Sequence, residues 1–152
     1  VGIGVGRHTR GANMEISTSK KILLLRIGYW IGVVLDALAF VQMAFPEIGK
    51  AMLKVSMETG PEYVFAINLG AGLMLAWTLL LVWADRKPVE RRMIIPLTMI
   101  IIAWNTFTMR YGVRTGLIPA ETMMPQMIVA GALFIYYGFC FIITRNMEDA
   151  HR

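Results

Sequence analysis

The chain has 152 residues, of which 57% are apolar and only 16% charged, with a formal net charge of +5 and a mean hydropathy of +0.58. A soluble domain carries about 45–50% apolar and about 25% charged residues, so this balance points to a membrane protein. One cysteine, Cys140, excludes an intrachain disulfide framework and a Cys-x-x-Cys oxidoreductase. The only histidines, His8 and His151, stand in the tails, which excludes a bis-histidine haem or a His/Cys zinc site inside an apolar bundle.

In chain order, Val1–Asn13 is glycine-rich and without periodicity, and Met14 reads as the natural start behind an appended leader. Gly2, Gly4 and Gly6 imitate part of a nucleotide-binding loop, but no strand precedes them. A polar tail over residues 1–21 leads into one membrane domain over 22–145, followed by a short tail, 146–152. Four apolar runs fill the domain: Ile27–Phe45, Tyr63–Ala84, Met93–Met109 and Pro125–Thr144. Each is close to the about 20 residues that cross a hydrocarbon core of about 30 Å. The expected fold is therefore an all-α bundle of four transmembrane helices.

The connections have local causes. Pro46 cannot continue the first helix, and Pro61 suits the first turn of the second. Between them Ile48, Ala51, Met52 and Val55 fall at helical spacing, with Lys50, Lys54 and Glu58 off the stripe. That pattern predicts a short amphipathic helix resting on the outer membrane surface. Asp85–Arg92, centred on Pro88, makes the second and third spans an antiparallel hairpin. The third loop, with Gly112, Gly116, Pro119 and Pro125, reads as irregular.

Positive charge orients the bundle. Arg7, Arg10, Lys20, Lys21, Arg26, Arg86, Lys87, Arg91, Arg92, Arg145 and Arg152 share one side, against Lys50, Lys54, Arg110 and Arg114 on the other. The more basic side stays cytoplasmic, so both termini are expected inside, in a plasma or inner cell membrane. The charge flanks the spans and forms no basic face, which argues against a nucleic-acid partner.

Helices in lipid associate through small residues and polar groups. Gly28 and Gly32, Gly72 and Ala76, and Gly131 and Gly138 stand at helical spacing as packing candidates, within one bundle or between copies. Asp36 stands alone as a carboxylate inside an otherwise uncharged run. Near the bilayer centre it costs at least ~2.5–3.5 kcal/mol, so it calls for a role. With the termini inside, Asn68, Asn105 and Arg110 also belong to the outer half of the membrane, while the inner half has little comparable polarity. Asp36, Asn68, Asn105 and Arg110 are thus the candidates for an outward-facing polar pocket that takes an ion or ligand. The competing role is interhelical hydrogen bonding. Twelve methionines invite copper(I), but only Met123, Met124 and Met127 cluster, so no metal or cofactor is expected.

The stretch WTLLLVWADRKPVERR, Trp77–Arg92, together with IGYWIGVVLDAL in the first span, resembles small prokaryotic four-helix membrane proteins of unassigned function that carry a Trp-Ala-Asp-Arg-Lys-Pro-x-Glu-Arg hairpin. The resemblance covers three helices and implies no activity. In its single first-helix carboxylate the chain is similar to the small multidrug-resistance transporters, which act as dimers. Those chains are shorter, their helix-one motif is missing here, and their dual-topology members are charge-balanced. DoxX-like proteins share the size and helix count without an alignable motif. The expected function is a membrane module that binds a small or lipophilic ligand, or a partner's helices, around Asp36. The alternative is an oligomeric proton- or cation-coupled transporter. A membrane enzyme ranks third, because no second carboxylate, histidine or nucleophile accompanies Asp36.

Overall fold

The computed structural model describes residues 17–53 and 60–145. Both tails, including His8, His151, Met14 and the glycine-rich leader, lie outside the described residues, as do Lys54, Val55 and Glu58. Five α-helices follow in order among the described residues: α1 Thr18–Ala44, α2 Pro46–Leu53, α3 Pro61–Asp85, α4 Ile94–Arg114 and α5 Ala120–Thr144. No strand occurs among them. Helices α1, α3 and α5 are long and apolar enough to cross a membrane.

Helix α4, with 21 residues, is shorter than the other three but long enough to cross; it falls short in apolarity, because its second half carries Asn105, Thr106, Thr108 and Arg110. Three of its threonine hydroxyls, on Thr98, Thr106 and Thr108, bond back to their own helix at Ile94, Ile102 and Trp104. Such bonds satisfy the hydroxyls without any neighbouring helix.

Helix boundaries follow backbone chemistry. Phe45, before Pro46, leaves the helix at φ −122° and ψ 85°, the extended region forced on a residue preceding proline. Helix α2 then starts on Pro46, and its Ile48, Ala51 and Met52 point outward. Pro61 opens α3 after an extended Gly60. The third loop corrects the sequence reading. Gly112 lies inside α4 and Pro125 inside α5, so the irregular segment contracts to the stretch between Arg114 and Ala120. Gly112 packs against Ile118, and Pro125 lies in the second turn of α5, where it removes the backbone bond to Glu121 without ending the helix. Gly116 makes the reversal at φ 70°, a conformation that side chains with a Cβ rarely adopt.

Helix α1 is central: it packs along α3 on one side and touches α5, while α4 packs on α5. Close contacts between Gly32 and Leu81 and between Met43 and Gly70 show that α1 and α3 run antiparallel. The core collects at the end holding the α3–α4 hairpin and comprises Leu25, Tyr29, Leu81, Ala84, Ile94, Ile95, Tyr137 and Cys140. Toward the opposite end far less is buried, chiefly Ala71, Gly112 and Met123. Outside, the molecule is apolar: Phe65, Ile135 and Ile142 are each more than 70% exposed. Such a surface is one that lipid, and not water, covers.

Candidate functional site

Two polar regions lie on this scaffold. The first closes the hairpin end. Arg26 at the start of the apolar stretch of α1 meets Asp85, the last residue of α3, with Nε–Oδ1 at 2.9 Å and Nη2–Oδ2 at 3.0 Å. The Trp30 indole N–H donates to the same carboxylate at 3.3 Å. Arg91 donates to the Trp83 carbonyl and lays its guanidinium 3.3 Å from the Trp83 ring centre, a cation–π contact. The Tyr29 hydroxyl lies 3.3 Å from the carbonyl oxygens of both Pro88 and Arg91, within the hairpin turn. Arg92 donates to the Thr144 carbonyl at the end of α5 at 3.0 Å. Tyr136 and Tyr137 of α5 donate to the Leu24 and Gly28 carbonyls of α1 at 2.9 and 2.8 Å. Together these bonds tie α1, α3, α5 and the α3–α4 turn to one another, so this region is a lock.

Arg26, Trp30, Asp85 and Arg92 are not among the site residues that the sequence pattern marks. A signal was present: Arg26 and Asp85 are opposite charges at the boundaries of two consecutive apolar runs, which an antiparallel hairpin brings level.

The second region centres on Asp36. It is partly buried on α1, one turn beyond Gly32. A Cβ on Gly32 would stand 2.8 Å from both Leu81 Cδ1 and Tyr137 Oη, so this glycine lets α1, α3 and α5 meet just below Asp36. The antiparallel register set by Gly32–Leu81 and Met43–Gly70 brings Trp77 level with Asp36. The Trp77 indole N–H is buried and has no hydrogen-bond partner. Asp36 likewise forms no hydrogen bond or ion pair among the described residues.

The other sequence candidates sit elsewhere. Asn68, Asn105 and Arg110 are exposed, and nothing joins them to Asp36 among the described residues. Arg110 instead lines a shallow groove of about 220 Å³ with Arg114 and Met124 between α4 and α5. Of the packing candidates, Gly28 and Gly32 are buried against α5 and α3, and Gly138 touches Met99 of α4. Gly72, Ala76 and Gly131 lie on exposed faces, and among the described residues neither of those two glycines has a packing neighbour within 4 Å of where a Cβ would stand. No group of three or more His, Cys, Asp and Glu side chains suited to a metal occurs among the described residues.

Fold and site together define an all-helical membrane protein with a locked end and a lone carboxyl just beyond the lock. No family model, curated protein or solved structure matches the chain.

Proposed function

We propose that the protein is a four-span module of the cell membrane, with both termini on the cytoplasmic side, that binds a small or lipophilic ligand at Asp36. The observation that carries this reading is the pairing of two unsatisfied groups at one level of the α1–α3 interface. Asp36 can accept hydrogen bonds and the Trp77 N–H can donate one, and neither has a partner among the described residues. Leaving the buried Trp77 N–H unpaired costs about 1–3 kcal/mol, so a ligand that accepts its hydrogen bond gains about that amount over one that does not. The thinly packed half beyond Gly32 gives access, and exposed Asn68 and Asn105 give that half a polar character.

The test is infrared spectroscopy in lipid nanodiscs, with the Asp36 carboxyl band isolated by subtracting Asp36→Asn. Sodium, potassium and tetraphenylphosphonium serve as probes, with Trp77→Phe as the companion variant. A band that moves with a probe in the wild type, and moves less in Trp77→Phe, supports the site. A band indifferent to every probe, with the assembly state of Asp36→Asn unchanged, removes the reading.

A second reading has one observation in its favour. The exposed small faces at Gly72 and Ala76 on α3 and at Gly131 on α5 allow another copy of the chain to approach closely. Two or more copies could then enclose a path lined by Asp36, as a proton- or cation-coupled transporter requires. A strictly monomeric protein in native-like lipid would sink it.

A further inference from the structure

An open groove of about 700 Å³ runs along the outer face of α1 from Leu23 to Leu35, with Val129 and Leu133 of α5 as its far wall. Its lining is apolar except at one end, where Arg26 and the edge of Trp30 stand. Both are about half exposed, the Arg26 side chain at 53% and Trp30 at 50%. Asp85 engages Nε and Nη2 of Arg26 and leaves Nη1 uncommitted among the described residues. Lys20, exposed one turn before Leu23, continues the groove's line on α1. The surrounding end of the bundle is strongly basic: Lys21, Arg86, Lys87, Arg91, Arg92 and Arg145 gather there with only Asp85 and Glu90 as acids among the described residues.

We infer that this groove seats one acyl chain of an anionic phospholipid, whose phosphate lies against Arg26 and Lys20. Three features select that occupant over a second copy of the chain. The groove's charge is confined to one end, as in a molecule with one anionic head and an apolar tail. From Arg26 to Leu35 the helix rises about 14 Å, which matches one leaflet of a hydrocarbon core of about 30 Å. The charged end coincides with the start of the apolar stretch, where a tryptophan ring and basic side chains meet the headgroups. A second copy would present the same positive end to a positive end if it lay parallel. This inference stands apart from the Asp36 reading: the groove lies on the outer face of α1, and lipid can occupy it whatever Asp36 binds.

The test uses the full chain in vesicles of phosphatidylcholine or of phosphatidylglycerol whose acyl chains are brominated. The signal is the Trp30 share of fluorescence, taken as wild type minus Trp30→Phe. One basic contact changes the affinity for an anionic headgroup about fivefold, so brominated phosphatidylglycerol is expected to compete for the groove at least that well against unlabelled phosphatidylcholine. Lys20→Gln, which leaves the Arg26–Asp85 pair alone, should lower that preference about fivefold. Val34→Phe, which fills the groove, should reduce Trp30 quenching by both lipids. Equal competition by the two lipids, or a preference unchanged in both Lys20→Gln and Arg26→Gln, overturns the inference.

Discussion

At the scale of single residues, the tightest point is Gly32, where α1 meets Leu81 of α3 and Tyr137 of α5. A methyl group there would stand 2.8 Å from a leucine methyl and a tyrosine oxygen already engaged with Gly28. Neither neighbour can withdraw freely, since Leu81 and Tyr137 are both at most 2% exposed. Gly32→Ala is therefore expected to destabilise the fold by about 1–3 kcal/mol, the range for overpacking. Gly131→Ala supplies the control, because among the described residues no side chain or other helix comes within 4 Å of its Cβ position, and in a helix alanine is favoured over glycine by about 1 kcal/mol. Unfolding of both variants in mixed micelles checks the contrast, and equal losses would contradict the packing at Gly32. The importance of Gly32 and the oddity of Asp36 were both legible in the sequence, as a small residue at helical spacing and a charge in an apolar run. That Trp77 stands level with Asp36 was not. It depends on the register between α1 and α3, and no residue pattern in either helix prints that register. Grouping Asn68, Asn105 and Arg110 with Asp36 by depth alone fails to bring them into contact, because depth constrains one coordinate and helix rotation sets the others.

At the scale of elements, the lock at the hairpin end ties α1 to α3 and α5. Arg92 bonds the end of α5 from the segment joining α3 to α4, and Thr144 in turn bonds its own helix at Cys140. Arg92→Gln shortens the reach and removes the charge, so the last turn of α5 should open more often. Cys140 reports that opening, being the chain's single cysteine and only 1% exposed. Its alkylation by a small maleimide under native conditions should be slow, and about tenfold faster in Arg92→Gln if the contact contributes about 1.4 kcal/mol to closure. An unchanged rate would mean that the end of α5 is held by its apolar contacts alone. Helix identities here were readable from apolar run length, and three of the four long helices meet the demands of a membrane span. The ends were less readable. Composition marks where hydrocarbon stops, whereas a helix stops where backbone hydrogen bonding stops, and so α4 and α5 absorb Gly112 and Pro125.

At the scale of the whole molecule, the question is whether α4 also crosses the membrane, as the four-span proposal requires. Helix α4 begins in the core at the hairpin end, with Ile94 and Ile95 buried, and its 21 residues rise about 31 Å. Helix α5 then returns, for its Tyr136, Tyr137 and Thr144 are bonded at that same hairpin end. If α5 crosses the bilayer toward the hairpin, its start lies on the far side, and only α4 connects the two. The polar content of α4 is compatible with this path. Its threonine hydroxyls are satisfied internally, and Arg110 stands in its last turns, where a long side chain extends to the interface. The prediction is made in a Cys140→Ser background with single cysteines at Lys87, Arg114 and Arg145, all exposed positions. An impermeant maleimide applied to intact cells should label Arg114→Cys and spare Lys87→Cys and Arg145→Cys, and permeabilisation should expose all three. Labelling of Lys87→Cys and Arg114→Cys from the same side would show that α4 does not cross. The reversed pattern, with only Arg114→Cys protected, would keep four spans but overturn the orientation argued from the basic hairpin end. That outcome would also place the lipid groove beside Arg26 in the outer leaflet.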